Sequence, residues 1–429
     1  MKKLVFICIL LSCKGFAQQL TLQDAINVAL KNSFDIQIAK NNVEINTINN
    51  HIGMAGGLPT VTASASDQES VVNINQKLNT GVEISRNGAT SNNLSANVSG
   101  SMLLYNGYRV VATKKRLEQL QLQSEQLLNA QIQNTIAAVM VKYYDVVRQQ
   151  GYIKTLQQSI ELSQKQLELV QVKQNIGLAN NADLFQTQIA LNTRQQDLQA
   201  QQLIVQQTKT DLLNLLNLNP DSTISINDTI ITAKNIVLAD VMNGIEQNPQ
   251  IISLAQQVKI SELIEKETAT LRAPSLRTNL GLNYGRNEST GGQLLLNQTY
   301  GPFVNIGITI PIYSGGTIKR QERTANINTQ NAKLQKQNVL LDFKAITVRT
   351  FQSYTANIEQ AITQKNTYEI SAKLVNLVLQ RYQLAQATII ELTEAQRSFE
   401  DAGYRLTNLN YNAKIAEIEL KRLSGKLGF

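Results

Sequence analysis

The chain has 429 residues with no Trp, six Pro and a single His, long enough for two or three ordinary cores but of odd composition for them, with Gln and Asn in abundance. Both cysteines, Cys8 and Cys13, and three of the lysines behind the formal charge of +8 fall in the first 17 residues, so the remainder carries +5 (8 − 3) and no thiol, which excludes disulfides and cysteine metal ligands there. No dense basic cluster with interleaved aromatics supports a nucleic-acid partner. His51 stands without a nucleophile, phosphate or metal motif around it, so no catalytic role and no cofactor or metal is expected.

In chain order, Met1-Lys2-Lys3, the apolar run 4–11 and Gly15-Phe16-Ala17 make a secretory signal peptide over 1–17, cleaved after Ala17. The same stretch admits a lipobox at Leu10-Leu11-Ser12-Cys13, after which Cys13 would be acylated. No segment offers the ~20 apolar residues of a spanning helix. A first structural repeat, 18–219, opens with a short helix over 22–31. Strands follow at about 58–70 and 93–105, where Val61, Ala63 and Ala65 alternate with Thr60, Thr62 and Ser64, and Leu94, Ala96, Val98, Met102 and Leu104 with Ser95, Asn97, Ser99 and Ser101. A polar loop over 67–93 is expected to join them. Residues 106–219 lack proline, and Ile132, Val139, Val146, Ile153, Ile160 and Leu167 recur every seven residues, predicting a long helical hairpin over about 107–216. Its turn falls at Gly177-Leu178-Ala179-Asn180-Asn181, with Asn181 as N-cap of the returning helix.

A linker at 220–236 leads into a second repeat, 237–429, with a short helix over 238–247 and strands at about 274–285 and 301–313. Its loop is expected over 285–299, and its hairpin over about 316–424 turns near 384–388. The halves repeat in register. Tyr105-Asn106-Gly107 returns as Tyr313-Ser314-Gly315, and Asp183 and Gln188 return as Glu391 and Gln396, each 208 residues on (313 − 105, 391 − 183, 396 − 188). Long helices impose that constancy, because one inserted residue rotates everything after it by ~100°.

The polar partners in the strands are mostly small and uncharged, as in a wet lumen, and Tyr105, Tyr284, Tyr300, Phe303 and Tyr313 stand near strand ends, as in a membrane girdle. A soluble sheet with one buried face shares that alternation. Four strands cannot close a barrel alone, and an open edge in lipid costs several kcal/mol per unpaired group, so in a membrane the chain must assemble with copies of itself.

Arranged as short helix, 58-59 Leu-Pro, strand pair, Leu104-Tyr105-Asn106-Gly107 and hairpin, then all again, and with 304–315 (VNIGITIPIYSG) and 381–399 (RYQLAQATIIELTEAQRSF), the chain resembles the TolC-like outer membrane efflux proteins over nearly its whole length beyond the leader. The resemblance implies a mainly α fold with β, a two-fold internal repeat in which each half gives two transmembrane strands and a long antiparallel α-helical hairpin. Three copies would form a 12-stranded β-barrel in outer membrane lipid, continued by a periplasmic α-helical barrel. It implies an outer membrane channel-tunnel of a tripartite efflux or type I secretion system, working with a periplasmic adaptor and an inner-membrane pump.

By position, the resemblance assigns Gly177, Leu178, Asp183, Leu384 and Ala385 to the periplasmic tip that docks the adaptor, and Tyr382, Glu391 and Glu394 to the entrance and its gate. Without it, two glutamates three apart on a helix simply face solvent. Two departures stand out. Ala385 replaces the second tip glycine, which predicts a stiffer or differently shaped turn, and Ala387 replaces the family arginine that links to the acid at Asp183, so that closing bridge is unavailable. Competing readings are a lipid-anchored metal or drug exporter of the same fold, and a structural or adhesive surface coiled coil. The second has no use for the strands.

Overall fold

The structure, a computed structural model, describes residues 18–233, 235–291 and 294–427; the predicted leader with Cys13 lies outside them. In chain order the elements are β1 (Gln18–Gln19), α1 (Leu22–Asn32), α2 (Phe34–Asn49), β2 (Thr60–Lys77), β3 (Glu83–Tyr105), α3 (Arg109–Asn175) and α4 (Asn181–Leu215), then β4 (Ile224–Ser225), α5 (Leu238–Gly244), α6 (Pro249–Ala269), β5 (Ser275–Ser289), β6 (Leu296–Thr309), α7 (Thr317–Gln383) and α8 (Ile389–Leu423). α3 and α7 each have 67 residues and α4 and α8 each 35, at a constant offset of 208 (317 − 109, 389 − 181). Two compact units emerge, one from 18–40, 126–252 and 338–427, the other from 41–125 and 253–337. Each unit draws on both halves of the chain, so neither coincides with the expected repeats 18–219 and 237–429.

The second unit holds an antiparallel sheet in the order β2-β3-β5-β6. Register makes its two faces chemically distinct. Ala63, Val98, Leu282 and Pro302 lie in one row, and Val61, Gly100, Leu280 and Val304 in another, followed on the same face by Met102, Thr278, Ile306, Leu276 and Ile308. The opposite face carries Ser64, Asn97 and Asn283, then Thr62, Ser99 and Gly281, then Ser101, Asn279 and Asn305. None of the described residues covers the aliphatic face: Val61, Val304, Ile306 and Ile308 are 73, 75, 66 and 67% exposed. A soluble sheet would bury such a face, at about 25 cal/mol for each Å² of apolar area.

The strands differ from expectation at three places. The loop expected over 67–93 is nearly all ladder, with a turn only at 78–82, because pairs such as Ser66 with Ser95 (2.7 Å) and Asn92 with Asp67 (2.8 Å) sustain strands in which polar residues occupy both faces and leave no alternation to read. In the second hairpin β5 runs on to Ser289 and β6 begins at Leu296, inside the loop expected over 285–299, and β6 ends at Thr309, short of Pro311, not at 313. Phe303, expected in the girdle, pairs with Gly281 on the polar face, where its ring and the Val98 carbonyl crowd the space a Cβ at Gly281 would need. Tyr284 and Tyr300, paired in register, do lie on the aliphatic face.

The first unit is built on the hairpins. Val139, Val146, Leu212, Leu216 and Ile418 form the main cluster with Ile224 and Ile226 of the linker. Far from being a free tether, the linker is bonded along the helices. Lys414 donates to Ile231 O (2.8 Å), Lys209 to Ile224 O (2.9 Å) and Tyr354 to Ala233 O, while Ala233 N–H donates to Glu417 (2.9 Å). Burial alone would raise the Glu417 pKa, but Lys421, the Ala233 amide and Lys414 together hold it below the usual carboxylate value.

A carboxyl with a depressed native pKa stabilises above its unfolded value of 4.5 and loses that contribution as pH falls through the native one. Acidification below about 4.5 is therefore expected to release the linker, read as faster amide exchange over 228–236, and Glu417→Gln to release it already at neutral pH at a cost of about 3 kcal/mol.

Candidate functional site: the paired helix turns

Each hairpin reverses through the same backbone device. At the first turn Leu178 N–H donates to Lys173 O (2.7 Å) and Gly177 N–H to Gln174 O (3.0 Å); at the second Gln386 N–H donates to Arg381 O (2.8 Å) and Ala385 N–H to Tyr382 O (3.1 Å). Both turning residues are left-handed, Gly177 at φ +78 and Ala385 at φ +55. The second turn therefore keeps the shape of its twin, so of the two outcomes expected from the missing glycine the different shape does not hold, and Ala385 carries the steric cost of its Cβ.

The returning helices start at Asn180 and Thr388. Asn180 Oδ1 accepts from Asp183 N–H (2.8 Å) while the Asp183 carboxylate accepts from Asn180 N–H (3.2 Å), a reciprocal capping box, and Thr388 Oγ1 accepts from Glu391 N–H (3.2 Å). The cap is thus Asn180 and not Asn181, because Asn180 has the extended backbone a cap requires and Asn181 already belongs to α4. Asp183 is engaged as a helix cap and joins no ion pair among the described residues.

Leu178 and Leu384 project from the turns at 67 and 69% exposure. Phe185, Ile189 and Ile390 are exposed beside them, an apolar set that sequence reading missed although Phe185 and Ile189 stand at i, i+4. Glu391 and Glu394 are exposed on the first two turns of α8. Tyr382 does not: it is buried among Val170, Val375, Val378, Leu392 and Phe399, and burial, with Asp183 nearby, raises its pKa. Over its ring, 4.0 Å from the centroid, lies the Lys173 ammonium, which also donates to the Tyr382 carbonyl and so caps the end of α7 from α3. Ala387 packs at the border of the same cluster. Lys173 was invisible as a site residue, its one signal being its place 208 residues before Arg381 (381 − 173).

Farther from the turns, Arg194 of α4 reaches Glu400 of α8 at 2.6 Å and Ser159 of α3 at 3.0 Å, in a layer where Ser163 and Gln396 also bond (3.3 Å). An ion pair so enclosed adds little net stability but penalises any register that separates its members. Among the described residues no three His, Cys, Asp or Glu side chains converge, so no metal-binding group is formed there.

A family model described as "Outer membrane efflux protein" matches residues 25–218 and 244–426. The chain is 23% identical over 353 residues to the outer membrane protein TolC of Vibrio cholerae, covering 78% of this chain and 77% of that protein. It is 22% identical over 408 residues to toxin and drug export protein A of Aggregatibacter actinomycetemcomitans, covering 92 and 84%. The crystal structure of CusC superposes with a TM-score of 0.79 at 16% identity over 95% of this chain and 93% of that one, a likeness of fold.

The left-handed turns predict opposite responses. Gly177→Ala should lower stability by about 1 kcal/mol, and Ala385→Gly should raise it by less, because added freedom of the unfolded chain offsets part of the relief. Thermal unfolding of the two variants in the same detergent measures both signs.

Proposed function

The chain belongs to the outer membrane efflux protein family, and from that premise we propose that three copies assemble into a passive channel-tunnel of the outer membrane. The observation that carries this reading is the sheet, whose aliphatic face is exposed in the single chain and whose outermost strands, β2 and β6, each have one neighbour. Joining β6 of each copy to β2 of the next turns three four-stranded sheets into twelve strands without an edge, aliphatic toward lipid and lined inside by Ser, Asn, Thr and Gly. The aliphatic rows run from the Tyr284–Tyr300 pair to Tyr105 opposite Leu276, eight residue steps along β5 (284 − 276). At about 3.4 Å per step that is about 27 Å along the strand and, at the ~40° tilt of such barrels, about 21 Å of depth, close to a membrane band of about 25 Å.

In this reading the hairpin turns form the periplasmic entrance. The exposed Leu178, Leu384 and Ile390 offer an apolar rim to a periplasmic adaptor that delivers substrate from an inner-membrane pump, in tripartite efflux or type I secretion. Substrate choice lies with the pump, since a wide wet duct discriminates weakly. Glu391 and Glu394 of three copies ring the mouth and favour cations. With Asp183 committed to its helix cap and Ala387 without charge, closure rests on packing around Tyr382 and Lys173 within each copy.

Two measurements test the reading. Glu391→Lys with Glu394→Lys should lower cation over anion selectivity in planar-bilayer recordings, and unchanged selectivity would remove these residues from the entrance. Lys173→Met should raise the fraction of time the channel conducts; a closed channel with wild-type gating would show that the ammonium over Tyr382 takes no part in closure.

A further inference from the structure

Positive charge that is scattered in the sequence is gathered at one end of the sheet. Tyr105 pairs with Leu276 and Ser275 with Thr309, so the end of β3, the start of β5 and the end of β6 lie together. The adjoining stretches 106–118, 265–276 and 313–323 hold nine Lys and Arg against four Glu, a net +5 in a chain whose total is +8 and whose predicted leader holds three of those charges. They touch one another through Arg116 with Glu267 (2.8 Å), Arg272 with Glu322, and Gly107 backed against Ala273. Arg109, Lys115, Lys319, Arg320 and Arg323 are exposed and join no ion pair among the described residues.

Helix chemistry does not account for this placement. The first turns of α1, α4 and α8 carry Asp24, Asp183 and Glu391, which suit the positive end of a helix dipole, whereas α3 and α7 have no acid there and open on Arg109 and on Lys319 and Arg320. Cations at that end are disfavoured, and an anion outside the helix would offset them. The belt also borders the aliphatic face directly, at the level of exposed Tyr105, Tyr108 and Tyr313. Tyrosines at the rim of an apolar face, followed at once by long cationic side chains, match the layer where acyl chain gives way to headgroup.

We propose that this belt binds the phosphate groups of anionic phospholipids in the leaflet facing the helix end of the sheet, fixing the depth at which the sheet sits. The inference rests on the membrane-spanning role proposed above. Lipid is the occupant the surface fits, because the cations are spread along the margin of an aliphatic face and their phosphate partners would hold acyl chains against the Val and Ile rows.

Electron spin resonance of proteoliposomes containing spin-labelled phosphatidylglycerol or phosphatidylcholine tests it on the full assembly. Wild type should hold phosphatidylglycerol at its surface in preference to phosphatidylcholine by about five- to tenfold at low salt, fading as salt rises. The variant R109Q/K115Q/K319Q/R320Q/R323Q should lose the preference while restricting the same total amount of lipid, and the charge-keeping exchange R109K/K115R/K319R/R320K/R323K should retain it. Equal preference in wild type and the Gln variant would overturn the belt. A preference abolished by inorganic phosphate but not by chloride of equal ionic strength would mark a discrete anion site and overturn the lipid assignment. If neither lipid is motionally restricted by wild type, it is the membrane-spanning reading itself that fails.

Discussion

An amide or carbonyl group facing hydrocarbon without a partner costs several kcal/mol, and a strand with one neighbour presents such groups along a whole side. β2, of 18 residues, and β6, of 14, are in that position, at opposite ends of a sheet whose aliphatic face is open. Exposure of the face calls for lipid, and lipid forbids the edges. Four strands are too few to curl until their own ends meet. The two constraints are reconciled when edges of separate copies pair, and the family to which the chain belongs fits that outcome.

The hairpin unit answers to a related demand. Helices of 67 and 35 residues repeated at one offset must reverse at matched points, and the two turns do so with identical hydrogen bonds although one has glycine and the other alanine at the left-handed residue. Between the helices the contacts are mixed: a Val and Leu cluster with the docked linker at one level, and Ser159, Ser163, Arg194, Gln396 and Glu400 at another. Aliphatic contacts tolerate a slipped register, while an enclosed Arg–Glu pair does not, so the polar layer specifies alignment more than it stabilises.

Much of this was legible in the sequence, for reasons that also mark where reading stopped. The repeat showed because long helices admit no insertion, and the aliphatic rows around Val98, Leu280 and Ile306 showed because a face that meets an apolar medium enforces alternation. The outer parts of β2 and β3 did not show, since strands with polar residues on both faces have no such pattern. Phe303 was misplaced because nearness to a strand end says nothing of which face a residue takes. Tyr382 was assigned to the entrance by likeness alone, and only tertiary packing reveals it beneath Lys173. The Arg194–Glu400 pair and the cationic belt were unreadable for one reason: each joins residues far apart in the chain whose meeting depends on registers fixed elsewhere.

Edge pairing between copies is the claim from which the rest follows, and the lack of cysteine after Cys13 makes it directly measurable. Single cysteines on β2 between Val61 and Ala65, combined with single cysteines on β6 between Val304 and Ile308, are separated within one chain by two intervening strands. Oxidation in the native membrane should then yield a ladder of crosslinked species that stops at three chains. A ladder that continues beyond three, or no crosslink at any register, would contradict the account.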